Sequence, residues 1–133
     1  MSTTVADPRA WCVVVPHHAR GAHVARHRLA DELDSLLSAD RLDDAIAIAA
    51  ELVGNAVRHA APLPGGVIRV AWRLLPDDTL EIRVTDGGSA VGPQLRVAAP
   101  DALGGRGLTI VAALSTGWGV ERDGLGQCVW ATL

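Results

Sequence analysis

The sequence predicts a two-layer α+β sandwich, a mixed and mostly antiparallel sheet with three helices on one face. Two consecutive segments alternate with a single apolar face: Ile68, Val70, Trp72 and Leu74 in the first, Leu80, Ile82 and Val84 in the second. Arg69, Arg73, Glu81, Arg83 and Thr85 turn the other way. Such one-faced alternation marks strands with one side buried, whereas a doubly wound sheet would be apolar on both sides. The remaining periodic stretches repeat at helical spacing and supply the cover for that face.

The elements follow in order. Trp11 to Val15 reads as a short strand stopped by Pro16. From His17 the period becomes helical, with Ala22, Ala25, Leu29, Leu33 and Leu36 on one stripe to about Leu37. A second helix starts at Asp40, a capping residue, and carries Leu42, Ile46, Ala49, Val53, Ala56 and Ala60 until Pro62 and Pro64 end it. The two alternating strands form a hairpin across Leu75-Pro76-Asp77-Asp78, which has turn chemistry. Residues 87–104 show no period and read as a loop, of which 89–103 is a candidate lid. A third helix begins near Gly105 and runs to about Ser115. A closing hairpin, Trp118 to Arg122 and Gln127 to Leu133, turns at Asp123-Gly124.

Composition narrows the function. The chain has 133 residues, 49% hydrophobic and 20% charged, enough for one core and hence one domain over 1–133. A disordered segment would be poorer in apolar residues and more charged. No apolar run approaches the ~20 residues of a membrane span, and no signal-like segment opens the chain, so a cytoplasmic protein without membrane attachment is expected. A formal net charge of −3 argues against a nucleic-acid surface. Lys+Arg is 12 and every one is arginine. A Walker A loop needs a lysine, so any nucleotide is held another way. Cys12 and Cys128 sit in strand-like runs and read as buried, reduced thiols.

Three places break the packing pattern. In the second helix, Glu51 and Asn55 lie one turn apart on one face, with His59 continuing the row. On a helix this apolar, such groups are costly unless paired or wet. Gly54 between them suggests that something approaches the backbone closely; an ordinary solvated face is the plainer reading. Asp86 extends the inward row Leu80, Ile82, Val84, and Gly87-Gly88 behind it leaves room for a backbone or a flat ligand. An Asx-type turn bond would also explain Asp86. Finally, Gly104-Gly105-Arg106-Gly107-Leu108 opens the third helix, where free N–H groups and Arg106 suit an anion. A flexible hinge is the alternative.

Taken in order, these segments resemble the N, G1 and G2 boxes of the Bergerat-fold ATPases. The wordings Glu51-Leu52-Val53-Gly54-Asn55-Ala56-Val57-Arg58-His59-Ala60 and Gly105-Arg106-Gly107-Leu108 look most like the anti-sigma factor serine/threonine kinases of that superfamily. The resemblance runs from about residue 17 to the C-terminus. It implies ATP and Mg²⁺ as cofactors, with Asn55 as the metal-holding residue and Glu51 as general base. Asp86 would accept a hydrogen bond from the adenine amine, with Gly88 letting the ring lie against the backbone. Gly104, Gly105, Gly107, Leu108 and the helix start would take the phosphates. Arg106 would stabilise the transferred one, and Arg58 would touch phosphate as in histidine kinase relatives. Two departures stand out: the second Gly of Asp-x-Gly-x-Gly is replaced by Ala90, and a final-strand Thr of many relatives by Cys128.

The implied function is an ATP-binding regulator that phosphorylates an antagonist protein and sequesters a sigma factor, and relatives commonly pair as homodimers. The competing expectation is a non-catalytic switch, in which nucleotide orders the loop to present a partner surface. A structural interaction domain without nucleotide would leave Asn55, Asp86 and the glycine cluster unexplained together. His17, His18, His23 and His27 crowd the first helix, but no further ligand at a fixed spacing completes a metal set.

Overall fold

A computed structural model describes residues 9–88, 103–122 and 126–133, the side chains of 103–107 excepted. The expected fold class is found. The strands are β1 (Ala10–Pro16), β2 (Val67–Leu74), β3 (Leu80–Asp86), β4 (Gly117–Arg122) and β5 (Gln127–Thr132). The helices are α1 (Ala19–Leu33), α2 (Ala39–His59) and α3 (Leu103–Leu114). The sheet order is β1-β2-β3-β5-β4, and each of its neighbouring pairs is antiparallel.

The hairpin alternation fixes the sheet's sidedness. Ile68, Val70, Trp72, Leu74, Leu80, Ile82 and Val84 are all buried, and they face the helices. Trp11 stacks on Trp72 at 6.5 Å between ring centroids. The other face carries Arg73–Glu81 and Arg83–Glu121 ion pairs, exposed enough to add little stability. Across the sheet lies α2, which packs on α1, α3, β2, β3 and β5 and is the hub of the helix layer. Burial on several sides explains its buried set, Ala45, Ile48, Ala49, Leu52, Val53 and Ala56, which is wider than the single stripe expected.

The boundaries move for local reasons. Helix α1 starts after His18, whose ring accepts the Arg20 N–H as an N-cap, and it stops at Leu33. Leu36 therefore lies beyond the helix and is 42% exposed. Helix α2 is capped by Ser38, which accepts the Arg41 N–H, with Asp40 in the first turn rather than at the cap. Arg41 also donates to the carbonyls of Asp78 and Leu133, tying that helix start to the β2–β3 turn and the chain's end. Helix α3 begins at Leu103, earlier than expected, and ends at Leu114. Most of the loop read as a candidate lid, 89–102, and the Asp123-Gly124 turn lie outside the described residues. Cys12 is exposed and Cys128 half-buried; both belong to the outward face and are free thiols. The buried-thiol reading is corrected for Cys12, because its strand position points away from the helices. No helix among the described residues is long and apolar enough to cross a membrane.

Candidate functional site

Helix α2 carries Glu51 and Asn55 half-buried and His59 exposed. Both Oδ1 and Nδ2 of Asn55 are shut off from solvent and have no hydrogen-bond partner among the described residues. Leaving a buried polar atom unpaired costs about 1–3 kcal/mol. A leucine would avoid that cost, so the fold retains a carboxamide here against its own stability. Glu51, one turn earlier, has no partner among the described residues.

The close approach anticipated at Gly54 comes from within the helix. A Cβ there would lie 2.9 Å from Nη1 of Arg58, whose guanidinium folds back over the glycine. Because that group is the far end of a flexible side chain, Gly54→Ala should be accommodated by moving Arg58. Helix propensity then gives an expected gain of about 1 kcal/mol, readable as a higher urea midpoint with an unchanged slope.

Asp86 closes the inward row of β3 and is 1% exposed. Its Oδ1 accepts the Gly88 N–H at 2.7 Å, so the Asx-type bond and the inward placement are both present. Burial pushes its carboxyl above the usual carboxylate range; the Gly88 N–H, the Gln127 amide and His17 oppose that shift. The backbone around it is tight. Gly88 has φ +86°, a conformation that favours glycine. A Cβ at Gly87 would collide with the Pro62 carbonyl, and one at Gly126 with the Asp86 carbonyl.

The segment after Asp86 is clamped to the end of α2. Ala61 donates to the Gly88 carbonyl at 2.9 Å and accepts the Gly87 N–H at 2.7 Å. His17 holds the same helix end: its Nε2–H faces the Ala56 carbonyl at 3.0 Å and the Ala60 carbonyl at 2.8 Å. Read from the sequence as one of a helical histidine group, His17 instead precedes α1 and pins α2. His23 and His27 meet edge to face on α1, and no group of three or more His, Cys, Asp or Glu able to hold a metal exists among the described residues.

Gln127 escaped the sequence reading. It pairs with Asp86 in the β3–β5 register, and its Nε2 lies 3.5 Å from Asp86 Oδ2. Cys128, by contrast, pairs with Thr85 on the outward face, away from Asp86. The signal was present: Gln127 continues Val129 and Ala131 inward, a polar residue on an otherwise apolar row.

The third segment falls in α3. Gly104, Gly105, Arg106 and Gly107 occupy the helix from its first turn, and Leu108 is 7% exposed, so its side chain serves the core. With the helix starting at Leu103, the free N–H groups shift toward Leu103 and Gly104. The Arg106 side chain lies outside the described residues. Asn55, Asp86 and the glycine segment thus sit on α2, β3 and α3, with α2 packed against both of the others.

Residues 15–133 match the family of histidine kinase-like ATPase domains. The chain belongs to that family. Among solved structures, its fold resembles that of the RsbU and RsbW domains of Rv1364c from Mycobacterium tuberculosis, with TM-score 0.71 and 20% identity. That match covers 92% of this chain and 31% of the other, so the chain spans about a third of that protein's length. It also resembles the SiaB-SiaC complex from Pseudomonas aeruginosa, with TM-score 0.67 and 15% identity over 92% of this chain and 88% of that one. No curated protein matches the chain by sequence. At these identities the likeness establishes the Bergerat-type fold.

The residues fit the cofactors that the family implies. An unpaired Asn55 Oδ1 is a hard oxygen donor suited to Mg²⁺, which takes few protein ligands and relies on phosphates and water for the rest. The buried Asp86 carboxylate suits an amine of a planar base.

Proposed function

We propose that this chain is an ATP-dependent serine/threonine protein kinase of the anti-sigma type, which phosphorylates an antagonist protein and binds a sigma factor. The observation that carries the nucleotide reading is the Asn55 carboxamide, buried and without a partner among the described residues, in the row that also holds Glu51. Family membership and the likeness to an RsbW domain and to the SiaB-SiaC complex support it.

When bound, Mg-ATP would supply the transferable phosphoryl group and the positive charge that offsets its phosphates. Asp86 holds the base, and Gly88 leaves its face open. Asn55 would hold the metal through Oδ1. Glu51 takes the proton from the attacking serine or threonine hydroxyl, a role that a carboxylate one turn from the metal-holding residue can fill. The α3 N-terminus with Gly104, Gly105 and Gly107 receives the phosphates, while Arg106 and Arg58 offset the charge developing on the transferred group.

Incubating the chain with radiolabelled Mg-ATP and small proteins encoded beside its gene tests this reading. Label should appear on a serine or threonine of one of them. Nucleotide binding without transfer to any of them would favour the non-catalytic switch.

A further inference from the structure

We infer that Gln127 is a specificity-determining residue which, together with Asp86, reads both hydrogens of an unsubstituted purine 6-amine. The inference rests on the nucleotide reading above and deepens it.

Three observations carry it. Gln127 is 6% exposed and stands beside Asp86 on the helix-facing side of the sheet. Its Nε2 is turned to Asp86 Oδ2, at the outer limit of a hydrogen bond. Its Oε1 is buried and has no partner among the described residues. A carboxylate only accepts, so the amide nitrogen faces Asp86 and the carbonyl oxygen is left over. The inward neighbours on the same strand, Val129 and Ala131, show that an apolar side chain fits this row. An unpaired carboxamide oxygen is therefore a feature awaiting a donor.

The pair presents acceptors and little else. Asp86 Oδ1 already takes the Gly88 N–H and Oδ2 faces the Gln127 amide, which leaves spare lone pairs on the carboxylate and on Oε1. A primary amine on a flat ring offers two N–H groups from one nitrogen, one for each acceptor. A 6-oxo purine would set a carbonyl against both. A 6-methylamino purine keeps one hydrogen and loses the other. The ligand class is thus an adenine nucleotide whose amine is free.

Calorimetric titration of the full chain with ADP, N6-methyl-ADP, IDP and GDP tests this, using the wild type and Gln127→Met, which keeps the length and removes both the oxygen and the amide nitrogen. Wild type should bind ADP at least about tenfold tighter than N6-methyl-ADP, the value of one hydrogen bond of about 1.4 kcal/mol. Gln127→Met should lose about tenfold for ADP and most of that preference. Its melting temperature by circular dichroism should change little, since a buried acceptor with no partner among the described residues is lost together with a donor at the outer limit of a hydrogen bond to Asp86. A variant that binds ADP and keeps the wild-type preference would overturn the inference while sparing the nucleotide reading. Tighter binding of GDP than ADP by wild type would also overturn it. Absence of any ADP binding by wild type would remove both.

Discussion

Asp86→Asn is expected to abolish adenine-nucleotide binding while making the empty protein more stable at neutral pH. Asparagine keeps an oxygen for the Gly88 N–H, so the turn survives. Toward the ligand it presents an N–H where an acceptor is required, and a donor facing a donor in a buried site costs about 2–5 kcal/mol. The affinity for ADP should therefore fall by roughly thirtyfold to a few thousandfold. Stability should move the other way. Burial raises the folded-state carboxyl pKa of Asp86 above its ordinary value. A group raised in this way contributes stability below its unfolded pKa of ~3.9 and loses that contribution as pH climbs through the folded value. At pH ~7, above the unfolded value, Asp86 is thus a burden on the empty fold. Urea denaturation of wild type and Asp86→Asn should show the variant ahead at neutral pH, with the gap shrinking as pH falls toward ~4. A variant that is less stable at neutral pH and still binds ADP would remove Asp86 from the base site.

The second large effect is expected at Glu51. Glu51→Gln keeps size and polarity on a half-buried position without a partner among the described residues, so folding should be almost unaffected. A general base contributes about 10²–10⁴ in rate. Phosphoryl transfer to the antagonist should fall by that factor, with ADP affinity within about threefold of wild type. Equal transfer by the variant would reassign the proton acceptor. Loss of both transfer and binding would make Glu51 a structural residue.

What could be read from the chain depended on range. The β2–β3 hairpin was legible because one-faced alternation repeats across Ile68–Leu74 and Leu80–Val84 and needs no distant partner. Asp86 was legible for the same reason, as the polar end of an apolar row. Asn55 and Glu51 were legible as polar groups one helical turn apart. That Asn55 has no partner among the described residues was not, since this depends on what the elements packed around α2 offer it. Gln127 was missed because its meaning lies in the pairing of β5 with β3, across 41 residues. Cys128, one residue along, pairs with Thr85 on the outward face, because a step of one residue exchanges the two faces of a strand. His17 was grouped with its helical neighbours by spacing. Its bonds to Ala56 and Ala60, 39 and 43 residues away, show it to be a brace on the end of α2.

The proposed convergence of α2, β3 and α3 on one adenine nucleotide is tested most directly by a nitrogen-15 NMR titration of the labelled chain with Mg-ADP. The side-chain amides of Asn55 and Gln127 and the backbone amides of Gly88 and Gly105 should shift together along one saturation curve with a single dissociation constant. Shifts confined to one of these segments, or independent curves for each, would contradict a shared nucleotide cleft.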